Sequence, residues 1–446
     1  MLDEQRCHEI FEKVLKASDA DETEASLTGG EHALTRFANN CIHQNVAEEG
    51  CVLSVRTVYG GRTARATTNR FDDDSIRRVV AESAAVARQQ HPDPELLPMP
   101  GPPAEGSPPC RRFFEQTAAM PPQGRAEAVG RAVRVARSYH QTAAGIFSTG
   151  YSAQAILNSR GLFAYHRETH SEFSITMLAP ESSGWAKANS PDVANIDVEH
   201  LALRAAKKAS LSADAVEAPP GRYTVILEPA AVLDLSGFLF FDWGGLAVYD
   251  KRGFLTGRLG TPLFGENISI VDDVYHPLQS GPPFDGEGVR RRPLVLVERG
   301  VVKNLVYARQ TARLMNAEPT GHGFPLPNEF GEMPVNIVFS GGDSSVEDMI
   351  ASTERGILVT RLWYIREVDP YQKILTGMTR DGTFLVENGK VGPGIRNFRF
   401  NQSMIELLSN VEMLGPAERT AGEESFEMVA PAMKVRGFNF TEVTRF

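Results

Sequence analysis

The chain has 446 residues, of which 42% are hydrophobic and 23% are charged, and its formal net charge is −10. These proportions are those of folded globular domains and exclude wholesale disorder. The acidic balance argues against a nucleic-acid ligand, because such a chain repels a phosphate backbone. No apolar run approaches the roughly 18 residues of a membrane span, and no signal-peptide pattern opens the sequence, so we expect no membrane association.

Helical and strand patterns alternate in the first half of the chain. The stripe Ile10, Phe11, Val14 and Leu15 has helical spacing, and the acidic run that begins at Asp72 is typical of a helix N-terminus. The predicted elements are a helix over 3–18, a strand over 46–58, a helix after Asp72, a helix over 124–140, a hairpin of strands 147–157 and 162–178, and a helix over 198–212. Residues 91–109 hold eight prolines and predict an extended loop.

The second half is richer in strands. We predict a strand over 223–227 and hairpins that pair 293–298 with 301–307 and 383–386 with 390–391, the latter around an Asn-Gly turn. Ser344 and Glu347 have the spacing of a capping box, which predicts a short helix that ends near Gly356.

These elements predict an α+β protein of two domains. Residues 1–217 would form an N-terminal mixed α/β domain with an antiparallel sheet, and residues 218–446 a mostly antiparallel, barrel-like β domain. The boundary is placed at Ala218-Pro219-Pro220-Gly221, where rigid and flexible residues meet.

Metal-binding motifs are weak in this sequence. His8-Glu9 is the only His-Glu dipeptide, and no second histidine follows it one turn later. His166 and His170 are surrounded by a strand pattern, in which their side chains would stand about 13 Å apart. The four cysteines, at 7, 41, 51 and 110, include no Cys-x-x-Cys pair, which favours free thiols in a reducing, cytoplasmic compartment.

Other catalytic patterns are equally scarce. Neither a Gly-x-Ser-x-Gly nucleophile elbow nor a phosphate-binding glycine loop occurs. Gly321-His322-Gly323 could hold an imidazole in an accessible loop, although a turn with an incidental histidine explains it as well. Without reference to any known family, the residues therefore predict no catalytic site.

The order of several short stretches resembles the TldD/PmbA family. They include Thr35–Gln44, Asn158-Ser159-Arg160-Gly161, Pro319–Gly323 and Val368-Asp369-Pro370. The resemblance implies a cytoplasmic peptidase of two related subunits that cleaves unfolded peptides. In that family the TldD subunit binds zinc through a His-Glu-x-x-x-His helix and a later cysteine, and the PmbA subunit, also called TldE, lacks these ligands.

The same resemblance places the family's metal helix at Leu233–Gly245. Gly237 would then occupy the first His position, Phe238 the Glu position and Asp242 the second His position. Glycine and phenylalanine cannot bind zinc or act as a base. The later cysteine is missing as well, because the chain reads Thr420–Ser425 at the expected place.

We therefore expect a PmbA-like chain with no catalytic residue, metal ligand or cofactor of its own. A zinc-bearing TldD-like partner would complete a heterodimer, although a homodimeric peptide-binding module stays open. A further alternative is a self-sufficient peptidase with a displaced site that uses His322, Asp242 or Glu329. The resemblance also nominates residues that line a peptide cavity, namely Arg36, Asn39, Asn40, His43 and His322.

Overall fold

The computed structural model describes residues 2–103, 108 and 110–444. Its helices are α1 (Glu4–Ala17), α2 (Asp73–Gln89), α3 (Glu115–Ala118), α4 (Pro122–Ser138), α5 (Val198–Leu211), α6 (Pro229–Phe240), α7 (Gly245–Tyr249), α8 (Arg309–Leu314), α9 (Val346–Ala351) and α10 (Met404–Ser409). A short 3₁₀ turn spans Val193–Asn195. None of these helices is both long and apolar enough to cross a membrane.

The strands follow the same chain order. They are β1 (Glu22–Ala38), β2 (Cys41–Tyr59), β3 (Arg62–Thr68), β4 (Thr142–Asn158), β5 (Phe163–Ala179), β6 (Ser182–Ser190), β7 (Gly221–Leu227), β8 (Ile270–Asp272), β9 (Leu294–Glu298), β10 (Val301–Val302), β11 (Ile337–Phe339), β12 (Arg355–Asp369), β13 (Ile374–Glu387), β14 (Lys390–Gly394), β15 (Phe398–Ser403), β16 (Val411–Leu414), β17 (Glu418–Thr420), β18 (Met428–Ala430) and β19 (Met433–Val443).

The first sheet is antiparallel and carries helices on one face. Its strand order is β3-β2-β1-β4-β5-β6. Because successive side chains of a strand point to opposite faces, Leu27 and Phe37 of β1 are buried while Thr28 and Arg36 are exposed. The buried face packs against α1 and α2 at one end and against α4 and α5 at the other.

One edge of this sheet is partly open. Within the described residues, β3 pairs only with Leu53–Tyr59 of β2, so the outer edge of Cys41–Val52 has no neighbouring strand. The stretch Cys41–Gly50 is exposed on both faces except at Val46, which is half-buried.

The second half of the chain contains a closed ring of strands. β12, β7, β19, β15 and β13 are hydrogen-bonded in that order, and β13 pairs again with β12. The third sheet, β10-β9-β8-β11-β18-β17, lies beside the ring. The main core fills the space between these strands and α6. The predicted α+β class and the barrel-like second half are therefore confirmed.

Several local predictions need correction. The helix predicted over 233–245 runs over Pro229–Phe240, so Asp242 lies in the turn beyond its end. The capping box is formed by Ser345 and Asp348, one residue later than predicted, and its helix ends at Ala351. Because Ser345 lies directly beside Ser344, the sequence offers two overlapping frames of the motif. The strand predicted over 301–307 shrinks to Val301–Val302.

The proline-rich stretch 91–109 forms neither a helix nor a strand where it is described; residues 104–107 and 109 lie outside the described residues. The helix-free face of the first sheet meets the second half of the chain. Arg65 Nε donates to the Leu326 carbonyl at 2.7 Å, and the Glu168 carboxylate accepts from the Gly281 amide at 2.8 Å.

A buried ion pair supports this contact. Glu24 is 1% exposed and contacts Arg56 Nη2 at 2.8 Å and Arg65 Nη2 at 2.6 Å. Burial favours the neutral carboxyl, but the two guanidinium groups outweigh it and hold the pKa of Glu24 below its ordinary value.

We expect Glu24→Ala to lower the free energy of unfolding by about 3–5 kcal/mol, because the change leaves arginines buried without their counter-ion. Urea denaturation measures the difference. Folding lowers the pKa of Glu24, so its carboxylate stabilises the fold at pH values above the unfolded-state pKa. This stabilisation is lost as the pH falls through the folded-state pKa. The difference in unfolding free energy between wild type and Glu24→Ala should therefore become smaller as the pH is lowered. Glu12→Ala, on an exposed face of α1, is the control, and equal stability of Glu24→Ala and wild type would contradict the assignment.

Candidate functional site

Helix α6 positions the site. It begins at Pro229, whose missing amide hydrogen costs nothing at a helix start, and it ends at Phe240. It is apolar nearly all round, which is the pattern of a helix enclosed in a core. Leu233, Leu235 and Leu239 are fully buried against the strand ring and the third sheet. The helix is thereby held rigidly beside the segment Thr420–Ser425.

Gly237 contacts Ser425 directly. A Cβ built on Gly237 would lie 1.6 Å from the Ser425 Oγ and 2.5 Å from the Ser425 Cβ, so no side chain fits at this helix position. The Ser425 Oγ is buried and has no hydrogen-bond partner among the described residues. The structure thus joins two places that the sequence analysis singled out separately, the first His position and the segment of the missing cysteine.

Asp242, in the turn after α6, is held by a lysine. The Lys373 side chain is 1% exposed, and its Nζ donates to the Asp242 carboxylate and lies 2.6 Å from the Glu367 Oε1. The Phe254 ring covers the ammonium at 5.6 Å. The negative charge of Asp242 is therefore balanced by the ammonium group of Lys373, a residue of the same chain.

Phe238 offers no chemistry at the Glu position. Its ring is half-buried and packs edge-on against Phe241 at a centroid distance of 5.9 Å. An aromatic ring can neither bind zinc nor accept a proton from water. Its contribution at this place is apolar packing against the core.

Asp234 is a site residue that the sequence analysis missed. It is fully buried in α6, where its carboxylate accepts the backbone N–H groups of Leu362 at 3.3 Å, Glu423 at 3.0 Å and Glu424 at 3.1 Å. Burial raises the pKa of Asp234 to about 6, although the peptide donors oppose this shift. A single acidic residue inside the apolar run of α6 was the available signal, because a buried carboxylate needs donors.

The residues nominated from 35–44 lie together at the β1–β2 turn. Asn39 and Asn40 have φ angles of 52° and 59°, a conformation that asparagine tolerates. The Asn40 side chain also accepts from the Ala143 amide at 2.7 Å and therefore holds the turn against β4. Arg36 and His43 are exposed.

His322 lies elsewhere and is enclosed. It is 2% exposed, its Nε2 stands 3.0 Å from Asp272 Oδ1, and its Nδ1 lies 2.9 Å from Thr320 Oγ1. The accessible loop considered for it is not observed, because the loop folds over the ring and pairs it with a buried carboxylate. Asp242 and His322 thus have separate partners.

A metal site of three or more protein ligands is not found in the part of the chain that the structure describes. No group of at least three His, Cys, Asp and Glu side chains converges there. The four cysteines are free, and only Cys41 is exposed.

Comparison with known proteins identifies the family. The models of the PmbA/TldA metallopeptidase domain 1, central domain and C-terminal domain match residues 23–87, 117–213 and 220–442. These matches cover most of the chain, and it therefore belongs to the PmbA/TldD metallopeptidase family.

Individual relatives agree with this membership. The chain is 23% identical to the metalloprotease PmbA of Escherichia coli O157:H7 over 94% of this chain and 93% of that protein. It is 27% identical to a metalloprotease TldD homolog of Buchnera aphidicola over 60% of this chain and 59% of that protein. The solved structure of TldE from Thermococcus kodakarensis has the same fold, with a TM-score of 0.87, 22% identity and coverage of 98% of this chain and 99% of that one.

The contact between Gly237 and Ser425 can be tested by a double-mutant cycle. We expect Gly237→Ala and Ser425→Gly to interact by about 1–3 kcal/mol, because the serine side chain occupies the space that the new methyl group needs. The double mutant should therefore be more stable than Gly237→Ala alone. Chemical denaturation of the four proteins measures the cycle, and additive effects would show that the two residues are not in contact.

Proposed function

We propose that this chain is the non-catalytic, PmbA-like subunit of a cytoplasmic zinc peptidase that acts on unfolded peptides. A TldD-type relative would bring the zinc ion and the general base. This chain would bring walls that enclose the peptide and hold it near the partner's metal.

The donor set at α6 carries the proposal, because it does not fit zinc. A catalytic zinc ion takes three protein ligands of the His, Asp, Glu or Cys type. Gly237 and Phe238 have no side-chain donor atom, Ser425 beside Gly237 offers a hydroxyl and not a thiolate, and Asp242 is paired with Lys373.

The relatives support a two-subunit assembly. Proteins named PmbA, TldE and TldD homolog all match this chain, so both subunit names occur within one family. The first two names belong to proteins that match it over nearly its whole length.

An exposed apolar patch near the end of α6 suits a partner chain. It comprises Phe241, Tyr249, Val368 and Tyr371, each more than half exposed, and we call it the aromatic patch. Bonds close to these residues link their segments of the chain. The Tyr371 hydroxyl donates to the Lys251 carbonyl at 3.4 Å, and Lys373 joins Asp242 and Glu367, which adjoin Phe241 and Val368 in sequence. Clustered aromatic residues are typical of protein interfaces and unusual on an uncovered surface.

The peptide contacts in this proposal come from the β1–β2 turn. Arg36 and His43 are exposed and accessible to a ligand, whereas the Asn40 and His322 side chains hold loops in place.

Reconstitution tests the proposal. The chain is expressed alone and together with a TldD-type relative from the same source, and hydrolysis of unfolded peptides is followed by mass spectrometry. We expect no turnover by the chain alone and zinc-dependent turnover by the pair, because only the partner has ligands and a base. Chelator-sensitive hydrolysis by the chain alone would establish a self-sufficient enzyme and overturn the proposal.

The aromatic patch makes a separate prediction. Phe241→Glu should weaken association with the partner at least about tenfold, since truncating or charging a central interface aromatic costs about 2 kcal/mol or more. Val86→Glu, which changes an equally apolar exposed side chain on α2, is the matched control. Analytical ultracentrifugation measures both, and equal association of the two variants would place the interface elsewhere.

A further inference from the structure

Two histidines meet on the helix-free face of the first sheet. His32 lies on β1 and His170 on β5, the two strands that flank β4. Strands on either side of a middle strand are about 9.6 Å apart, so their side chains do not ordinarily touch. Here the His32 Nδ1 and the His170 Nε2 are joined by a hydrogen bond of 3.2 Å, in which one imidazole donates and the other accepts, and the two rings are stacked with centroids at 5.4 Å.

A glycine in the middle strand makes this approach possible. Gly150 pairs with His32 on one side and with His170 on the other. A Cβ on Gly150 would lie 2.7 Å from the His170 Nε2, so any other residue would push the imidazole away from His32. The absence of a side chain at Gly150 of β4 therefore leaves room for the ring nitrogens of His32 on β1 and His170 on β5 to approach each other.

The separation of the nitrogens suits a shared ligand. On a tetrahedral zinc ion with Zn–N bonds of about 2.05 Å, two imidazole nitrogens stand about 3.3 Å apart. Imidazole is also a ligand that copper and nickel accept.

The neighbouring carboxylate on β5 is engaged elsewhere. Glu168, two residues from His170 on the same face, accepts from the Gly281 amide at 2.8 Å and faces His166 Nε2 at 3.5 Å. The pair therefore supplies two protein ligands, and water fills the remaining positions. This agrees with the absence of a three-ligand cluster among the described residues.

We propose that His32 and His170 form a two-imidazole site for a divalent transition-metal ion of the zinc type. The site is independent of α6 and of the peptidase proposal, so either can fail without the other. Because His32 is exposed and His170 is half-buried, an ion can reach the pair from solvent.

Titration of the untagged full-length chain with Zn²⁺ tests the site by calorimetry. His32→Ala and His170→Ala should each weaken binding at least about tenfold, a loss of about 1.4 kcal/mol. The double mutant should bind no more weakly than either single mutant, because the first change already destroys the chelate. His200→Ala, exposed on α5, should leave the affinity unchanged. Equal binding by wild type and both single mutants would overturn the proposal.

A spectroscopic readout covers the case in which a variant folds poorly. With ¹³Cε1-labelled histidine, wild-type protein shows its ten histidines directly. Substoichiometric Zn²⁺ should shift the signals of two imidazoles only, those of His32 and His170. Shifts confined to other histidines, or no shift at all, would also overturn the assignment.

Discussion

Helix α6 is enclosed by strands, so every polar group on it needs a hydrogen-bond partner, and the site depends on this requirement. A helix buried on every side cannot carry an unpaired polar group, since an unsatisfied buried group costs about 1–3 kcal/mol. Asp234 meets the condition by accepting three backbone N–H groups, one from β12 and two from the segment beside Ser425. The helix, the strand ring and that segment are therefore fixed relative to one another. Gly237 can approach Ser425 closely because Asp234, one turn earlier, holds the same two elements together.

The same arrangement explains how the fold is stabilised at this place. The positions that the family resemblance assigns to ligands contain residues that contact other side chains of this chain. Gly237 packs against a serine side chain, Phe238 against an aromatic neighbour, and Asp242 pairs with a buried lysine. A buried ion pair such as that of Lys373 and Asp242 is often no more stabilising than an apolar pair, but removing either partner is costly. Selection on folding alone would keep both residues.

Helices and hairpins are predicted well from the sequence where neighbouring residues determine them. The acidic N-terminus of α2 is confirmed, with Asp72 accepting from the Ser75 amide, and so is the β4–β5 hairpin. β1 was not predicted, because Gly29, Gly30 and Glu31 lower its strand propensity, and hydrogen bonds to β2 and β4 on both sides determine it instead. The closure of the ring and the His32–His170 contact join distant parts of the chain, so no short window of sequence contains them.

The open outer edge of β2 has a consequence for local dynamics. Along Cys41–Val52 every second amide points away from β1, where none of the described strands accepts its hydrogen bond. Such amides exchange with solvent deuterium at rates set by small fluctuations, whereas the amides of β1, bonded on both sides, exchange only when the sheet opens. A partner or peptide seated on this edge would slow the exchange of alternate residues. That period-two pattern would report strand pairing without any label on the ligand.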